Sequence, residues 1–367
     1  MSVSITGIGL ATPAHFLEQR EAARIAEPRC VETVQSKARL RAFFLRSGVE
    51  SRRLVVVEGR NGHGPETPFF RDRADASDRG PTTGERMRRY EQDAATLATA
   101  AAEGALADSG WRATSITHLV TVSCSGFSAP GVDLTLMRRF GLRPTVERTH
   151  VGFMGCHGAL NGLRVAKAIV EADPEARPLL VSVELCSLHF QYDSDPGKLV
   201  ANALFSDGAA AVTCAATSEA GRWSVVSTGS CIVPDSADAM RWRIGDHGFE
   251  MTLAPSVPEL IERRLRPWLS EWLGASGLRI DDIESWAAHP GGPKVLSAVE
   301  QALSLSSGST ADSRAVLAEL GNMSSATVLF IFDRIRRRVQ ESSTTGPLVM
   351  LAFGPGLACE AALLKRD

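Results

Sequence analysis

The sequence predicts an α/β fold with a largely parallel sheet, built from two similar halves. Short apolar runs typical of buried strands alternate with helical patterns along all 367 residues, and such alternation favours a layered α/β architecture. Two turns from strand to helix carry polar or reactive residues, one at Cys156 and one at Asn322. They indicate an internally duplicated architecture, although no repeat is visible at the level of single residues.

The first half alternates strand and helix patterns in chain order. We expect a strand over residues 2–10, a basic helical stretch over 18–53, a long aperiodic surface loop over 59–84, an alanine-rich helix over 90–109, a strand over 118–124, a helix ending at Phe140, a helix over 159–170, a strand over 179–183, and a turn and strand over 205–212. The basic residues of 18–53 form either a solvated helix face or contacts for the phosphates of a nucleotide-bearing substrate.

The second half repeats the same alternation. The patterns predict helices over 258–273, 294–303 and 321–340, and strands over 283–288, 348–353 and 357–364. A glycine–proline–glycine break separates the last two strands.

Composition and charge exclude several classes of protein. The chain is 44% hydrophobic with a net charge of −2, so no basic excess indicates a nucleic-acid partner. No apolar run approaches the length of a membrane span, and the first residues lack the pattern of a signal peptide. The seven cysteines are scattered, without a CxxC pair, which is typical of reduced thiols rather than of disulfides or a zinc site. We therefore expect a cytoplasmic protein.

Cys156 is the candidate nucleophile. It follows Gly155 at a turn into the predicted helix of residues 159–170. A cysteine at a helix amino terminus lies at the positive end of the helix dipole, which favours the thiolate, and a thiolate accepts acyl groups. A buried, inert cysteine is the alternative unless a base and an oxyanion donor accompany it.

His289 and Asn322 are the candidate companions of Cys156. His289 ends a predicted strand before a Pro-Gly-Gly-Pro loop, where α/β proteins gather their ligands, and Asn322 begins a predicted helix. Taken singly, His289 could make a structural hydrogen bond, and Asn322 could cap its helix. Taken together, the three residues supply the nucleophile, base and amide donor that acyl transfer requires.

Five motifs resemble those of the type III polyketide synthases, the chalcone and stilbene synthase superfamily within the thiolase fold. They are Gly155-Cys156, His289-Pro-Gly-Gly-Pro293, Gly321-Asn-Met-Ser-Ser325, Leu204-Phe-Ser-Asp-Gly208 and Phe353-Gly-Pro-Gly356. The resemblance implies a thiolase-like αβαβα layered fold from two duplicated halves. Residues 1–219 would form the half with the nucleophilic cysteine, and 220–367 the half with the histidine and asparagine. It also implies a homodimer.

The resemblance assigns roles to these residues. Cys156 would carry the starter and the growing chain as a thioester, in a thiolate–imidazolium pair with His289. His289 and Asn322 would stabilise the enolate that malonyl-CoA leaves on decarboxylation. Phe205 would shield that step from water. The substrates would be malonyl-CoA and an acyl-CoA starter, and no metal or redox cofactor is expected.

The resemblance also points to pocket and coenzyme A contacts. Arg46 and Lys294 are the candidates for binding the coenzyme A phosphates, although the basic residues do not align one for one with those of the family. The expected substrate-binding residues, besides Phe205, are Cys124, Ser125, Ala129, Cys186, His189, Trp242, Met251 and Ser324. Several of these differ from the plant enzymes. The differences resemble bacterial members that use fatty acyl starters and make alkylresorcinols or alkylpyrones.

Two other functions fit parts of the pattern. A ketoacyl-ACP synthase III shares the cysteine, histidine and asparagine, but condenses only once and releases a product bound to acyl carrier protein. A non-catalytic family member would act as a partner or scaffold, which is difficult to reconcile with the presence of all three residues.

Overall fold

Strands and helices alternate along the chain, as the sequence predicts. The computed structural model describes residues 2–60, 63–217, 219–342 and 346–366. The strands are β1 (Val3–Ala11), β2 (Phe16–Glu18), β3 (Ser51–Arg53), β4 (Glu58–Arg60), β5 (His63–Glu66), β6 (His118–Ser123), β7 (Glu147–Gly152), β8 (Pro178–Leu185), β9 (Asp207–Ala216), β10 (Trp223–Ile232), β11 (Met240–Gly245), β12 (Gly248–Leu253), β13 (Ser285–Ala288), β14 (Leu348–Gly354) and β15 (Ala358–Arg366). The helices are α1 (Gln19–Cys30), α2 (Val34–Leu45), α3 (Thr83–Ser109), α4 (Val132–Phe140), α5 (Gly158–Ala172), α6 (Pro196–Leu204), α7 (Val257–Gly274), α8 (Pro293–Leu303), α9 (Ala311–Leu320) and α10 (Thr327–Ser342).

Nine of the described strands form one large sheet, in the order β13-β14-β15-β10-β1-β9-β8-β6-β7. The sheet is mixed, so the expectation of a largely parallel sheet is wrong. Only the β13–β14, β8–β6 and β6–β7 pairs are parallel. The tight turn between β14 and β15 forces an antiparallel pair. Both faces of the sheet are covered by helices, so its antiparallel strands are as apolar as parallel ones.

The sheet repeats one pattern on either side of the β1–β10 pair. From β1 outward, the strands run antiparallel to β9, antiparallel to β8 and then parallel to β6. From β10 outward, they run antiparallel to β15, antiparallel to β14 and then parallel to β13. This repetition is the internal duplication that the turns at Cys156 and Asn322 indicate.

Three apolar clusters fill the spaces between helices and sheet. Helix α3 covers the outer face of the β1 half of the sheet. Helices α5 and α10 lie between the two halves and bury their apolar faces together. Helices α7 and α8 cover the outer face of the β10 half. The order helix, sheet, helix, sheet, helix confirms the predicted αβαβα layers.

The sequence analysis missed strands β7, β10, β11 and β12, and the predicted elements near the amino terminus also differ from the structure. The stretch 18–53 is two helices and a strand, because the capping box of Thr33 and Ser36 starts a new helix after Val31. The loop of 59–84 contains the short β4–β5 hairpin, and its residues 61 and 62 lie outside the described part of the chain. The sequence analysis did not predict helices α6 and α9. Across the described residues, no helix is both long and apolar enough to cross a bilayer.

Candidate active site

Cys156, His289 and Asn322 come from three separate parts of the chain and line one cavity of about 530 Å³. Phe205, another predicted site residue, lines the same cavity. The remaining walls are mainly apolar and come from α6, α7, α8 and the hairpin β11–β12. The fold therefore brings together the four residues on which the sequence interpretation chiefly depends.

The turn at Cys156 depends on Gly155. Gly155 has φ +76°, and a Cβ there would lie 2.3 Å from Cδ of Pro355, so only glycine fits. Cys156 then lies in a single turn of 3₁₀ helix directly before α5. Pro355 belongs to the Phe-Gly-Pro-Gly motif, so two motifs of the sequence meet at the nucleophile.

A second pair of motifs meets at Asn322. The backbone N–H of Ser206 donates to the carbonyl of Asn322 at 2.8 Å, and the N–H of Asn322 donates to the carbonyl of Leu204 at 2.9 Å. This short bridge fixes Phe205 beside Asn322. A Cβ at Gly208 would lie 2.5 Å from the sulfur of Met323, which explains the glycine of that motif.

His289 follows the carboxyl end of β13, where its backbone N–H donates to the carbonyl of Leu351 at 2.7 Å. The side chain is 1% exposed, and neither ring nitrogen has a hydrogen-bond partner among the described residues. Burial, with a smaller effect of nearby His157, lowers the pKa of His289 to about 3. The imidazole is therefore neutral and has an N–H free to donate into the cavity.

Burial also dominates at Cys156, where it raises the pKa of the thiol to about 12. Hydrogen bonds from Ser324 and Asn322 act in the opposite direction and lower that pKa. The Ser324 hydroxyl donates to Cys156 Sγ at 3.7 Å, while the Ser324 N–H donates to Asn322 Oδ1 at 2.8 Å. Burial thus favours a neutral thiol, where the sequence indicated a thiolate–imidazolium pair, and attraction between the two charges would add to the effect of these hydrogen bonds.

His289 is neutral at rest. If the Cys156 thiol ionises by passing its proton to His289, the variant His289→Gln should shift the alkylation of Cys156 by iodoacetamide to higher pH, by about one unit or more. His289 is the one residue among the described cavity-lining side chains that can become a cation, and glutamine cannot take its place as a charge. The measurement is the rate of alkylation against pH, followed by intact mass. His118→Gln, on β6, is the control. A profile unchanged by His289→Gln would show that the thiolate does not depend on this histidine.

A buried carboxylate, Glu184, holds the walls of the site together and is absent from the predicted site residues. It is 0% exposed and accepts from the N–H groups of Cys124 and Ser125, both at 3.0 Å, and from the hydroxyls of Ser125, at 2.6 Å, and Ser325. Burial raises its pKa, while these hydrogen bonds lower it. An acid near the end of a strand whose one other polar residue is Ser182 was the signal available in the sequence.

A second cavity, of about 700 Å³, adjoins the first and shares Ala201, Phe205 and Met251 with it. Three more of the predicted pocket residues line it, namely Cys186, His189 and Trp242. Its far side is mainly apolar and comes from β2, α1 and the segments after β3 and β5, none of which the sequence assigned to the pocket. The lining residues there are Leu17, Ala22, Ile25, Ala26, Leu54, Val56 and Phe70.

His189 and Trp242 anchor the hairpin β11–β12 over the site. The N–H of Phe249 donates to His189 Nδ1 at 2.9 Å, so the ring proton is on Nε2, which donates to the carbonyl of Ser125 at 2.6 Å. Burial lowers the pKa of His189 to about 3, so it is neutral. The indole N–H of Trp242 donates to the carbonyl of Cys124 at 2.8 Å. These hydrogen bonds hold the side chains of His189 and Trp242 in place as part of the lining of the second cavity.

Six other predicted residues line neither of the two cavities in the single chain. The Ser125 hydroxyl is engaged with Glu184, and Ala129 lines a separate surface pocket. Arg46 ends α2 and Lys294 begins α8. These two helix ends meet, since a Cβ at Gly48 would lie 2.6 Å from Cγ of Pro293. Cys124 and Ser324 lie close to the nucleophile, with Cys124 Sγ 3.0 Å from the Ser324 hydroxyl.

Among the described residues, no group of three or more histidine, cysteine or acidic side chains is arranged to hold a metal ion. The polar groups that line the first cavity are those of Cys156, His289 and Asn322.

Comparison with known families gives matches over nearly the whole chain. The family model described as chalcone and stilbene synthases, N-terminal domain, matches residues 2–218, and the corresponding C-terminal domain matches 224–366. The 1,3,6,8-tetrahydroxynaphthalene synthase of Streptomyces peucetius subsp. caesius is 36% identical, over 99% of this chain and 93% of that protein. The alpha-pyrone synthesis polyketide synthase-like Pks18 of Mycobacterium tuberculosis is 32% identical, over 98% and 90%.

A solved structure shows the same architecture. The polyketide synthase PKS-I from the brown alga Ectocarpus siliculosus superposes with a TM-score of 0.92 at 30% identity, covering 100% of this chain and 98% of that one.

Proposed function

This chain belongs to the chalcone and stilbene synthase family, and from that premise we propose that it is a type III polyketide synthase acting on malonyl-CoA and an acyl-CoA starter. The observation that carries the proposal is the single cavity lined by Cys156, His289 and Asn322. Neither a ketoacyl-ACP synthase III nor a non-catalytic family member is favoured by the relatives, which are named as polyketide synthases.

Loading begins when the Cys156 sulfur attacks the thioester carbon of the starter. A bond to Cys156 forms, the bond to the coenzyme A sulfur breaks, and coenzyme A leaves as a thiol carrying the proton of Cys156. The Ser324 hydroxyl stabilises the developing thiolate, because it donates to Cys156 Sγ. His289 can accept the proton of Cys156 and then pass it to the departing coenzyme A sulfur, because both of its ring nitrogens are unpartnered among the described residues.

Extension uses His289 and Asn322 as donors. Loss of CO₂ from malonyl-CoA places negative charge on the thioester oxygen, and preorganised N–H groups stabilise that enolate. A neutral His289 donates one N–H. The Asn322 oxygen accepts from Ser324, which leaves its NH₂ group as the second donor. The enolate carbon then attacks the Cys156 thioester, the chain grows by two carbons and the acyl group moves to coenzyme A. This chemistry needs no cofactor beyond the thioester substrates.

The second cavity supports an aliphatic acyl starter. Most of its far wall consists of alanine, leucine, isoleucine, valine and phenylalanine side chains, and its His189 is neutral. The charged residues that also line it are Arg29, Arg52 and Lys198. A mainly apolar pocket beside a thioester site suits a hydrocarbon tail. We therefore assign the tail of the starter to this cavity, with Phe205 and Met251 between it and Cys156, and we propose a resorcinol or pyrone as the cyclised product.

Ala26→Phe is expected to reject long starters and to spare short ones. Ala26 is 1% exposed on α1 and lines the far side of the second cavity, so a phenyl ring there fills the space for a tail. Incubation with malonyl-CoA and acyl-CoA starters from acetyl to palmitoyl, with products measured by mass, tests both the function and the pocket. The acetyl reaction is the internal control. The pocket assignment is wrong if the variant keeps the wild-type preference for chain length, and the function is wrong if no starter is extended.

We further propose that the protein is a cytoplasmic homodimer. Strand β7 is one of the two edge strands of the large sheet, and its residues are mostly exposed. The exposed side chains of Phe127 and Met154 lie next to that edge in the chain, on segments adjoining the site. A second copy would cover this surface and bring the loop of Ala129 to its partner. The seven unpaired cysteines fit a reducing compartment. Sedimentation velocity would distinguish dimer from monomer.

The coenzyme A phosphates are proposed to bind Arg46 and Lys294. These residues flank the contact between Gly48 and Pro293, and the neighbouring Gly291 and Val295 line the catalytic cavity. Arg46 and Lys294 therefore lie outside the cavity. When the thioester of a bound coenzyme A reaches Cys156, its phosphates would remain in solvent beside these two residues.

A further inference from the structure

Two of the cysteines face each other across neighbouring strands. Cys231 on β10 is the register partner of Cys359 on β15, in an antiparallel pair. Residues directly opposite in such a pair place their side chains on the same face of the sheet, with Cα atoms about 4.5 or about 5.5 Å apart. Both cysteines are free thiols. The register therefore places two thiols side by side at a position that the polyketide chemistry does not use.

The spacing of these two strands fits a disulfide. Disulfides join residues whose Cα atoms are usually about 4.4–6.8 Å apart, and both spacings of an antiparallel pair fall in that range. The Cβ atoms of a disulfide are about 3.5–4.5 Å apart, so closing the bond draws the strands slightly together at this point. The strands stay joined beyond the cysteines, since the N–H of Val233 donates to the carbonyl of Leu357 at 3.3 Å. The two thiols are therefore held in register.

The exposure of the two thiols differs in the way that stepwise oxidation requires. Cys231 is partly exposed, whereas Cys359 is 3% exposed and belongs to the apolar cluster under α7 and α8. Cys231 packs against the same cluster, so both side chains lie on that face of the sheet. Burial raises the pKa of both thiols, and at Cys359 the nearby Cys231 adds to this effect. A small oxidant in solvent reaches Cys231 first, and Cys359 lies behind it.

The same row of side chains continues from the thiol pair to the catalytic cavity. Phe353 on β14 is the register partner of Cys359 on the other side of β15, and it belongs to the same apolar cluster. Phe353 also lines the cavity that contains Cys156. A change in the position of Cys359 therefore acts on a wall of the catalytic cavity through one pair of strands.

We propose that Cys231 and Cys359 form a reversible redox site, at which a disulfide oxidant such as oxidised glutathione converts the two thiols into a disulfide. The closed disulfide draws Cys359 towards Cys231 and shifts Phe353, which slows the loading of Cys156. The site is reduced in the compartment proposed above and closes when the thiol pool becomes oxidised. The effect on loading rests on the proposed function, whereas formation of the disulfide does not depend on it.

The oxidation proceeds in two exchange steps. The Cys231 sulfur attacks one sulfur of oxidised glutathione, the disulfide bond of glutathione breaks, and one glutathione leaves as a thiol with the proton of Cys231. The Cys359 sulfur then attacks the Cys231 sulfur, and the second glutathione leaves with the proton of Cys359. Two electrons pass from the protein to glutathione, and a dithiol reductant reverses the reaction.

The first experiment equilibrates the protein in glutathione buffers from reduced to oxidised, alkylates the remaining thiols and maps linked peptides by mass. In wild type, we expect peptides joined through Cys231 and Cys359, which a dithiol reductant separates. Cys359→Ser should instead accumulate a glutathione adduct at Cys231, because the second thiol is missing. Cys231→Ser should form neither product. Cys214→Ala is the matched control and should keep the disulfide, because Cys214 faces Ile5 of β1 rather than a cysteine.

The second experiment measures the rate at which octanoyl-CoA acylates Cys156, by intact mass. Oxidised wild type should be acylated more slowly than reduced wild type, by about threefold or more, because a displaced wall misplaces the thioester. The dithiol reductant should restore the rate. Cys231→Ser, treated with the same oxidised buffer, controls for oxidation of Cys156 itself and should keep its reduced rate.

Each part of the proposal has its own contrary outcome. Absence of the linked peptides from oxidised wild type overturns the redox site, as does a disulfide between Cys124 and Cys156 in their place. A disulfide at Cys231 and Cys359 with an unchanged acylation rate, or with equal slowing in Cys231→Ser, overturns the effect on the cavity. Failure of octanoyl-CoA to acylate reduced wild type overturns the proposed function instead, so the failures are distinguishable.

Discussion

Cys156→Ala is expected to abolish polyketide formation, a loss of about 10³-fold or more, while leaving malonyl-CoA decarboxylation within about tenfold of wild type. Condensation needs a thioester on Cys156, and alanine cannot form one. Decarboxylation needs only donors for the enolate oxygen, and the neutral His289 imidazole and the Asn322 amide remain in the same cavity. The measurements are product by mass and release of CO₂ from malonyl-CoA.

The matched control is Cys214→Ala. Cys214 is equally buried but lies in β9, among the apolar residues between the two halves of the sheet, and it does not line either cavity. It should retain product formation, which separates loss of the nucleophile from loss of a buried thiol. Substantial product from Cys156→Ala would mean that another group carries the growing chain, and the division of labour proposed here would fail.

Glu184→Ala is expected to destabilise the protein by about 4 kcal/mol or more, which lowers the melting temperature by roughly 5 °C. The substitution leaves the N–H groups of Cys124 and Ser125, and the hydroxyls of Ser125 and Ser325, without their acceptor in a site closed to water. Each unsatisfied buried donor costs about 1–3 kcal/mol. Differential scanning calorimetry measures the change.

The same variant should acylate Cys156 more slowly. Glu184 joins the loop of Cys124 to Ser325, and Ser324, the neighbour of Ser325, donates to Cys156 Sγ. Glu171→Ala is the control, because Glu171 is exposed on α5 and pairs only with Lys167 on the surface. A melting temperature within about 1 °C of wild type for Glu184→Ala would show that the donors find other acceptors and that the carboxylate is dispensable.

The sequence by itself indicated the four residues on which the interpretation of the catalytic cavity depends. Cys156, His289, Asn322 and Phe205 lie in short motifs whose glycines and prolines have local reasons. Gly155 is required by a positive φ and by contact with Pro355. Features of this kind depend on neighbours in the chain or on one close approach, so they leave a readable signal. The alternation of strands and helices was readable for the same reason, since apolar periodicity reflects which face of an element is buried.

The tertiary structure alone decided the features that depend on residues distant in the chain. Strand direction was misjudged, because a strand covered on both faces is apolar in either direction. The apolar wall of Ala22 and Ala26 was invisible, because alanines on a helix are ordinary core residues until another segment faces them across a cavity. The role of Glu184 required the loop of Cys124 and the turn of Ser325 to converge on it. The protonation states of Cys156 and His289 also depend on residues distant in the chain. The pKa values of Cys156 and His289 are shifted mainly by burial, and burial is a property of the whole fold rather than of the motif that contains the residue.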